Sequence, residues 1–177
     1  MKGLLVLLGL CLFALAQEEQ FTIADDIEVG DCSDGWRITG YYVPDEKDFH
    51  GAKVDLNVGG TVYKFKEDFI KAVKMQGSGY SEYGWVLACC WQKRSGIIGA
   101  CGRELVKLAA VARDPSIYRC GQCLKIETDQ LRSYSFSALD TGGAIKGKHL
   151  DVFCGGGEEG KQLANKITTN NAKVCTC

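Results

Sequence analysis

The chain has 177 residues, of which 46% are hydrophobic, and its formal net charge at pH 7 is −1. This length allows one domain with a substantial core, and the balanced charge gives no reason to expect nucleic acid or an anionic membrane as a partner. Ten cysteines are present, a number more typical of disulfide-bonded exported proteins than of reduced cytosolic ones.

The N-terminal segment has the pattern of a secretory signal peptide. Lys2 precedes the apolar run Leu4–Ala16, which ends in the small-x-small pattern of a cleavage site. The run is shorter than the roughly 20 residues that are needed to span a bilayer. We therefore predict a signal peptide at residues 1–16, an acidic lead-in at residues 17–34 and a single domain at residues 35–177 of a secreted, extracellular protein.

The cysteines indicate a disulfide framework. Removing Cys11 with the signal peptide leaves nine of the ten. One thiol is then free, capped or bonded to another molecule, which leaves the oligomeric state open. The pair Cys120 and Cys123 also fits a redox motif or half of a zinc site. However, no thioredoxin-like pattern surrounds it, and Cys175 and Cys177 are too close together to supply the other half. We predict that Cys120 and Cys123 are oxidised, to each other or to separate partners, and expect no metal and no cofactor.

Short strands and one helix are predicted for the first half of the domain. They are a strand at Gly35–Val43, a hairpin of Val54–Val58 and Thr61–Phe65 around Gly59-Gly60, and a helix at Lys66–Met75. The helix is indicated by Phe65, Phe69 and Val73, which recur at four-residue spacing, and Gly77 stands where a C-cap is expected.

A polar glycine loop with aromatic residues follows at residues 77–84. Tyr80, Tyr83 and the adjacent Trp85 suit two interpretations: a plain connector, or the wall of a saccharide groove on which sugar faces stack. The residues alone favour neither.

The second half of the domain is predicted to consist of strands with one short helix. The strands are Leu105–Ala112, Gln122–Thr128, Ser133–Leu139, His149–Phe153 and Lys173–Cys177, and the helix is Lys161–Ile167. A turn at Asp114-Pro115-Ser116 separates the first two strands. Many short strands with two small helices predict a mainly β fold, a closed barrel rather than an α/β sheet.

The segment between two of these strands carries the strongest chemical signal. Asp140 and Asp151 bracket Gly142, Gly143 and Gly147, which let the backbone approach a ligand closely. Carboxylates at such a loop suit acid–base work on a polar substrate. The alternative is that both aspartates merely cap the loop by accepting hydrogen bonds from backbone N–H groups. The spacing of the residues alone favours this alternative.

Residues 140–151 resemble the signature of the three-Asp domain of membrane-bound lytic transglycosylase A and its relatives, which carry a nearly identical run. Two further segments agree in the same order. Trp36–Pro44 is similar to the family's Thr-Gly-Tyr-Tyr-x-Pro strand, and Ala110–Ser116 is similar to its Ala-Val-Asp-Pro-Ser segment, with Arg113 inserted or substituted. The likeness extends over about residues 36–160, and Asp114 would be the third aspartate.

The resemblance implies a fold and a set of roles. The fold is a six-stranded double-psi β-barrel, also found in expansins and barwin-like proteins, with a subregion inserted at about residues 45–100. Asp151 would be the acid/base, and Asp140 an electrostatic or positioning partner within about 10 Å of it. Substrate-binding candidates are Thr39, Tyr41, Gly142, Gly143 and Lys146. Lys146 is equally well explained as a solvated loop lysine, and His149 as a structural residue.

The implied function is lytic transglycosylase-like cleavage of a β-1,4-linked amino-sugar polymer such as peptidoglycan. In that reaction one Asp acts first as acid and then as base, while the 6-hydroxyl of the sugar attacks its own anomeric carbon. The partner is then a polysaccharide, with neither nucleic acid nor membrane. Only residues 45–100 stand where the bacterial enzyme has a sizeable second domain, so the cleft is expected to be shallow. The alternative is a non-catalytic, expansin-like or barwin-like glycan-binding or matrix protein.

Overall fold

A computed structural model describes residues 30–89 and 91–177. The predicted signal peptide and most of the predicted lead-in lie outside the described residues. The first strand begins at Cys32, inside the stretch predicted as lead-in.

The elements in chain order are β1 (Cys32–Val43), a short 3₁₀ helix (Glu46–Asp48), β2 (Lys53–Val58), β3 (Thr61–Lys66), α1 (Glu67–Gln76), β4 (Ser78–Tyr80), β5 (Val86–Ala88), β6 (Gln92–Arg94), β7 (Ala110–Ala112), β8 (Cys123–Glu127), β9 (Phe136–Asp140), β10 (His149–Gly156), α2 (Gly157–Ile167) and β11 (Thr169–Thr176). Neither helix in this described part of the chain is long and apolar enough to cross a membrane.

Six strands form a closed barrel in the order β1-β10-β7-β9-β8-β11. The pairs β1–β10 and β7–β9 are parallel, and the other pairs are antiparallel. Parallel neighbours require long crossover connections, so the barrel strands interlock and are not joined as simple hairpins. The predicted mainly β fold with a six-stranded double-psi barrel is confirmed.

The barrel interior is filled by every second residue of its strands. On β1 these are Trp36 and Ile38, and on β10 they are Leu150, Val152 and Cys154, all essentially inaccessible to solvent. Because side chains alternate along a strand, residues 37, 39 and 41 of β1 and residues 149, 151 and 153 of β10 point out of the barrel. Helix α2 adds Ala164 and Ile167 to the interior core.

The subregion between β1 and β7 builds its own core and covers one side of the barrel. Phe65, Phe69, Val73 and Leu87 form the inner cluster of the hairpin, helix and small sheet. A third cluster lies between this subregion and the outer barrel wall; its members are Val43, Val86, Ile97, Leu105, Ala110, Leu139 and Phe153. The barrel face that carries the odd-numbered residues of β1 and β10 is therefore partly shielded from solvent.

The predicted hairpin and helix of this subregion are confirmed to within one residue. The strands β2 and β3 pair around Gly59-Gly60, and α1 ends at Gly77 in the left-handed conformation with φ 87°. Only glycine adopts this angle without strain, which explains why the helix stops there.

Several predicted boundaries are wrong for identifiable reasons. The strand predicted at Leu105–Ala112 is only Ala110–Ala112, because Leu108 has a left-handed φ of 56° within a turn. The small sheet β4-β5-β6 was not predicted, since three-residue strands leave no alternating pattern. Helix α2 begins at Gly157 rather than at Lys161. The glycines in its first turn are typical of a loop, so the sequence pattern placed the helix start too late. They are needed for packing, because a Cβ on Gly160 would lie 2.9 Å from the backbone of Gly155.

Three disulfides within the described residues reinforce the barrel. Cys32–Cys175 joins β1 to β11, Cys123–Cys177 fastens the C-terminus to β8, and Cys101–Cys120 ties the end of the inserted subregion to the segment before β8. The prediction that Cys120 and Cys123 are oxidised is confirmed, and each has a separate partner. Among the described cysteines, Cys89 is exposed and Cys154 is buried, both without a disulfide.

We expect the Cys32–Cys175 bond to contribute strongly to stability, because it closes a loop with a sequence separation of 143 residues. The double variant Cys32→Ser/Cys175→Ser should lose about 2–5 kcal/mol of unfolding free energy, measured by guanidinium denaturation under non-reducing conditions. Cys89→Ser is the matched control and should behave as wild type. Equal midpoints for all three proteins would show that the bond does not stabilise the fold.

Candidate active site

Four residues from four neighbouring barrel strands lie in one row. Thr39 on β1 pairs with Asp151 on β10, Asp151 pairs with Ala112 on β7, and Ala112 pairs with Asp140 on β9. Adjacent strands are about 4.8 Å apart, so the backbones of the two aspartates are separated by about 10 Å. The smallest side chain of the row, Ala112, lies between the two carboxylates.

A β-bulge aims Asp140 into this row. Simple alternation from Phe136 and Ala138, which fill the barrel interior, would also turn Asp140 inward. The register between β7 and β9 shifts at this point, so Val111 faces Ala138 but the next residue, Ala112, faces Asp140. The extra residue, Leu139, packs on the outer side. The bulge thus brings Asp140 to the same outer face as Asp151.

Both aspartates line one groove between the barrel and the inserted subregion. A cavity of about 300 Å³ is bordered by Asp151, Ala112, Asp140, the loop 141–145 and the C-terminal end of α1. A second cavity of about 200 Å³ shares Tyr41, Gln76, Asp140 and Thr141 with the first and extends along the subregion. The wall of this second part includes Cys89, Arg94 and Ile98.

The aromatic residues predicted as a possible groove wall lie elsewhere. Tyr83 stacks on Trp85 with ring centroids 5.9 Å apart, and the ammonium group of Lys93 covers the Trp85 ring at 5.3 Å. Tyr80 and Trp85 border a different cavity, beside Asp45. The connector interpretation of this loop is therefore the better one.

Asp140 is held through both carboxylate oxygens. Its Oδ2 accepts a hydrogen bond from the Tyr41 hydroxyl at 2.9 Å, and its Oδ1 accepts one from the backbone N–H of Ala100 at 2.8 Å. Burial, together with the nearby Asp140 charge, raises the pKa of Tyr41, so the phenol keeps its proton and remains a donor. Asp140 is consequently a fixed hydrogen-bond acceptor at the rim of the groove.

Asp151 has a different environment. Burial raises the pKa of its carboxyl group, and the neighbouring Asp140 charge adds to this effect. The hydrogen bond from Thr39, at 2.6 Å to Oδ1, and the electrostatic influence of His149 and Arg37 oppose it without cancelling it. A carboxyl group whose pKa is raised in a groove is suited to donating a proton.

Asp114 shapes the glycine loop. Its carboxylate accepts hydrogen bonds from the backbone N–H of Gly147 at 2.8 Å and from both the N–H and the hydroxyl of Ser116. These bonds, the one from Gly147 first, lower the pKa of Asp114 to about 2. Ile145 is buried and anchors the middle of the same loop. The third aspartate of the motif, Asp114, therefore stabilises the loop, which is the role that the capping alternative had given to Asp140 and Asp151, whereas Asp140 and Asp151 face the groove.

The predicted substrate-binding residues separate into three groups. Gly142 and Gly143 line the groove beside the aspartates, as does Tyr41. Thr39 and Tyr41 have hydroxyl groups that are engaged by the carboxylates, and Lys146 is exposed near Asp114 and outside the groove lining. For Lys146, the interpretation as a solvated loop lysine fits better than a role in binding.

Some contacts around the site were not predicted from the sequence. Arg113 is 4% exposed, and its guanidinium donates to the Asp140 carbonyl at 3.3 Å and to Sγ of Cys120 at 3.0 Å. Ala100 supplies only a backbone N–H. His149 lies two residues before Asp151 on the same outer face, and its Nε2 is 2.9 Å from the Thr39 hydroxyl. The alternation of side chains along β10, which puts His149 and Asp151 on the same face, was the sequence feature that indicated this contact.

Comparisons with known proteins agree with this architecture. Residues 109–174 match the 3D domain family. A membrane-bound lytic murein transglycosylase A homolog of Buchnera aphidicola is 34% identical over 82 residues, which is 41% of this chain and 22% of that protein. The chain thus spans less than a quarter of that relative's length. The predicted resemblance to the three-Asp domain is confirmed for the segment that carries Ala112, Asp140 and Asp151.

Solved structures show the same fold over a larger part of the chain. MltA of Escherichia coli, solved with bound chitohexaose, has a TM-score of 0.64 at 18% identity and covers 81% of this chain and 71% of its own. A membrane-bound lytic murein transglycosylase of Agrobacterium tumefaciens has a TM-score of 0.56 at 15% identity, covering 80% and 73%. At these identities the likeness concerns the fold.

The raised pKa of Asp151 predicts a pH-dependent cost to stability. A raised folded-state pKa favours folding below the unfolded-state value, about 3.9, and this contribution is lost as pH rises through the folded-state value. Asp151→Asn should therefore be more stable than wild type at neutral pH, by on the order of 1 kcal/mol, and equally stable in acid. Thermal unfolding followed across pH measures this, and Asp129→Asn, at an exposed position, is the control. A neutral-pH loss of stability in Asp151→Asn would contradict the argument.

Proposed function

We propose that this protein binds a β-1,4-linked amino-sugar polymer such as peptidoglycan and cleaves it by lytic transglycosylation. The observation that carries the proposal is the pairing of two unlike carboxyl groups in one groove. Asp151 is half-buried with a raised pKa, and Asp140 is fixed by two hydrogen bonds. Two carboxyl groups with different environments are the usual basis for assigning the acid at a glycosidic bond.

In the proposed reaction Asp151 is protonated when the polymer binds. It donates this proton to the glycosidic oxygen as the bond from that oxygen to the anomeric carbon breaks. The 6-hydroxyl of the same N-acetylmuramic residue then bonds to the anomeric carbon and gives its proton to Asp151. The products are a 1,6-anhydro sugar end and a free 4-hydroxyl end, no water is consumed, and Asp151 returns to its acid form.

Asp140 would act electrostatically. The cleavage develops positive charge on the sugar ring, and a fixed negative charge across the groove stabilises it. The two aspartates are separated by a whole strand, with Ala112 between them. Both oxygens of Asp140 already accept hydrogen bonds, from Tyr41 and Ala100, which favours a route in which Asp140 does not attack the sugar.

The remaining walls suit a sugar chain. Ala112, which is 3% exposed, borders the cavity between the two aspartates, and Gly142 and Gly143 line it beside them. Opposite lies the end of α1, where Met75 is 80% exposed. The groove is open and formed mainly by short segments, consistent with a polymer that lies across it. The chitohexaose bound by the Escherichia coli neighbour supports a polysaccharide as the ligand class.

We further propose that the protein acts outside the cytoplasm. Its three disulfides suit an oxidising compartment, and the predicted signal peptide supports export. The curated relative is named as membrane-bound. Expression with and without residues 1–16 in a secreting host would test export by the appearance of processed, oxidised protein in the medium.

The central test compares aspartate variants on purified peptidoglycan. Asp151→Asn keeps the size and hydrogen bonding of the side chain but cannot donate the proton, so release of anhydro-muropeptides should fall by roughly 10²–10⁴-fold. Product release by Asp140→Asn should fall less, because the acid, Asp151, remains in place. Mass spectrometry of the soluble products identifies the anhydro ends, and Asp129→Asn should match wild type.

The same samples distinguish the enzyme from a binding protein. Asp151→Asn should still sediment with peptidoglycan, since its groove is unchanged. If wild-type protein sediments with peptidoglycan or chitin but releases no soluble sugar from either, the enzymatic proposal is wrong. The expansin-like alternative would then replace it.

Ala112 offers an independent test of the groove. Ala112→Leu places a larger side chain between the two carboxylates and should weaken peptidoglycan binding and cleavage together, while Ala112→Ser preserves the space and should retain both. Circular dichroism would verify that both variants fold. Undiminished binding by folded Ala112→Leu would show that the polymer does not pass between Asp140 and Asp151.

A further inference from the structure

A chain of hydrogen bonds leads from His149 to Asp151. Nε2 of His149 is 2.9 Å from Oγ1 of Thr39, and the same oxygen is 2.6 Å from Oδ1 of Asp151. His149 is 9% exposed, and Thr39 is half-buried. The three residues belong to the paired outer faces of β1 and β10, where Thr39 is in register with Asp151 and Arg37 with His149. Strand pairing therefore holds the chain in place.

Proton counting gives this chain a direction. A threonine hydroxyl has one proton, and an ionised carboxylate can only accept, so in the ionised state of Asp151 the Thr39 proton points to Asp151. The Thr39 oxygen must then accept from His149, which requires a proton on Nε2. Because Oδ1 of Asp151 already accepts the hydrogen bond from Thr39, Oδ2 is the oxygen left to contact a substrate. Oδ2 has no hydrogen bond to any residue in the described ranges, and Asp151 lines the groove.

We propose that His149 and Thr39 are positioning residues that fix Oδ1 of Asp151 as an acceptor, so that Oδ2 carries the proton delivered to the glycosidic oxygen. The catalytic part rests on the proposed function; the direction of the hydrogen bonds does not. Without the chain, Asp151 could carry its proton on either oxygen and rotate between them. Such rotation would place the proton away from the sugar for part of the time.

The arrangement also suits a group that must act twice. Asp151 gives up a proton and then takes one back, and the hydrogen bond at Oδ1 is present in both states. Thr39 stabilises the ionised form and lowers the pKa of Asp151 against the effect of burial. The other titratable or charged groups that face Asp151 are His149, Arg37, Asp140, Tyr41 and Cys154.

Nuclear magnetic resonance tests the direction of the chain without any substrate. The protein contains only two histidines, His50 and His149, so ¹⁵N-histidine labelling gives two imidazole spin systems, and His50→Gln assigns them. We expect His149 to carry its proton on Nε2 in wild type and in Thr39→Ser, which keeps the hydroxyl. Thr39→Val removes it and should change the His149 imidazole shifts and raise the pKa of Asp151, followed by ¹³C-carboxyl titration.

Turnover tests the consequence. Thr39→Val should reduce kcat by about 10²-fold with little change in KM, because the lost contact orients the acid and does not touch the sugar. Thr39→Ser should restore kcat. His149→Gln, whose amide N–H can still donate to Thr39, should retain more activity than His149→Leu.

Two results would overturn the proposal. One is a wild-type His149 protonated on Nδ1 with Nε2 bare, which reverses the chain. The other is a folded Thr39→Val protein with wild-type kcat and an unchanged Asp151 titration. If wild-type protein shows no turnover, the proposed function fails, and the imidazole and carboxyl titrations alone decide whether His149 and Thr39 orient Asp151.

Discussion

The parallel pairing of β1 with β10 is the constraint on which the site depends. It sets Thr39 beside Asp151 and Arg37 beside His149, on the face that points away from the barrel interior. The alternate residues, including Ile38, Leu150 and Val152, are fully buried in the core. A slip of one residue would exchange the two faces and bury the acid among apolar side chains. The hydrophobic core thus fixes the position of the catalytic candidate.

The inserted subregion supplies what the barrel alone lacks. Its contact with the outer wall, through residues such as Val86, Ile97 and Leu105, withdraws part of that wall from water. It also brings the Ala100 N–H to Asp140, and the Cys101–Cys120 disulfide fastens this segment. One carboxyl group is thereby held as an acceptor while the other is buried enough to raise its pKa. The same fold gives two aspartates two electrostatic environments.

Much of the fold could be predicted from the sequence, because strong local signals agreed with it. Alternation in β1 and β10, the Gly59-Gly60 hairpin and the Gly77 cap all act over a few residues. The bulge at Leu139 could not be predicted, since it depends on pairing with β7 rather than on local pattern. The hydrogen bonds from Thr39 to Asp151 and from Tyr41 to Asp140 could not be predicted either, because they depend on how the strands are arranged. The roles assigned to Asp151 and Asp140 themselves stay predictions.

The most direct test of this account is a crystal structure of Asp151→Asn with a bound peptidoglycan tetrasaccharide. The account predicts that the sugar chain crosses the row above Ala112, with one glycosidic oxygen within about 3.2 Å of the side chain at position 151. The anomeric carbon beside that oxygen should face Asp140 across the groove. A saccharide bound elsewhere, for example beside Tyr80 and Trp85, with the row unoccupied would contradict it.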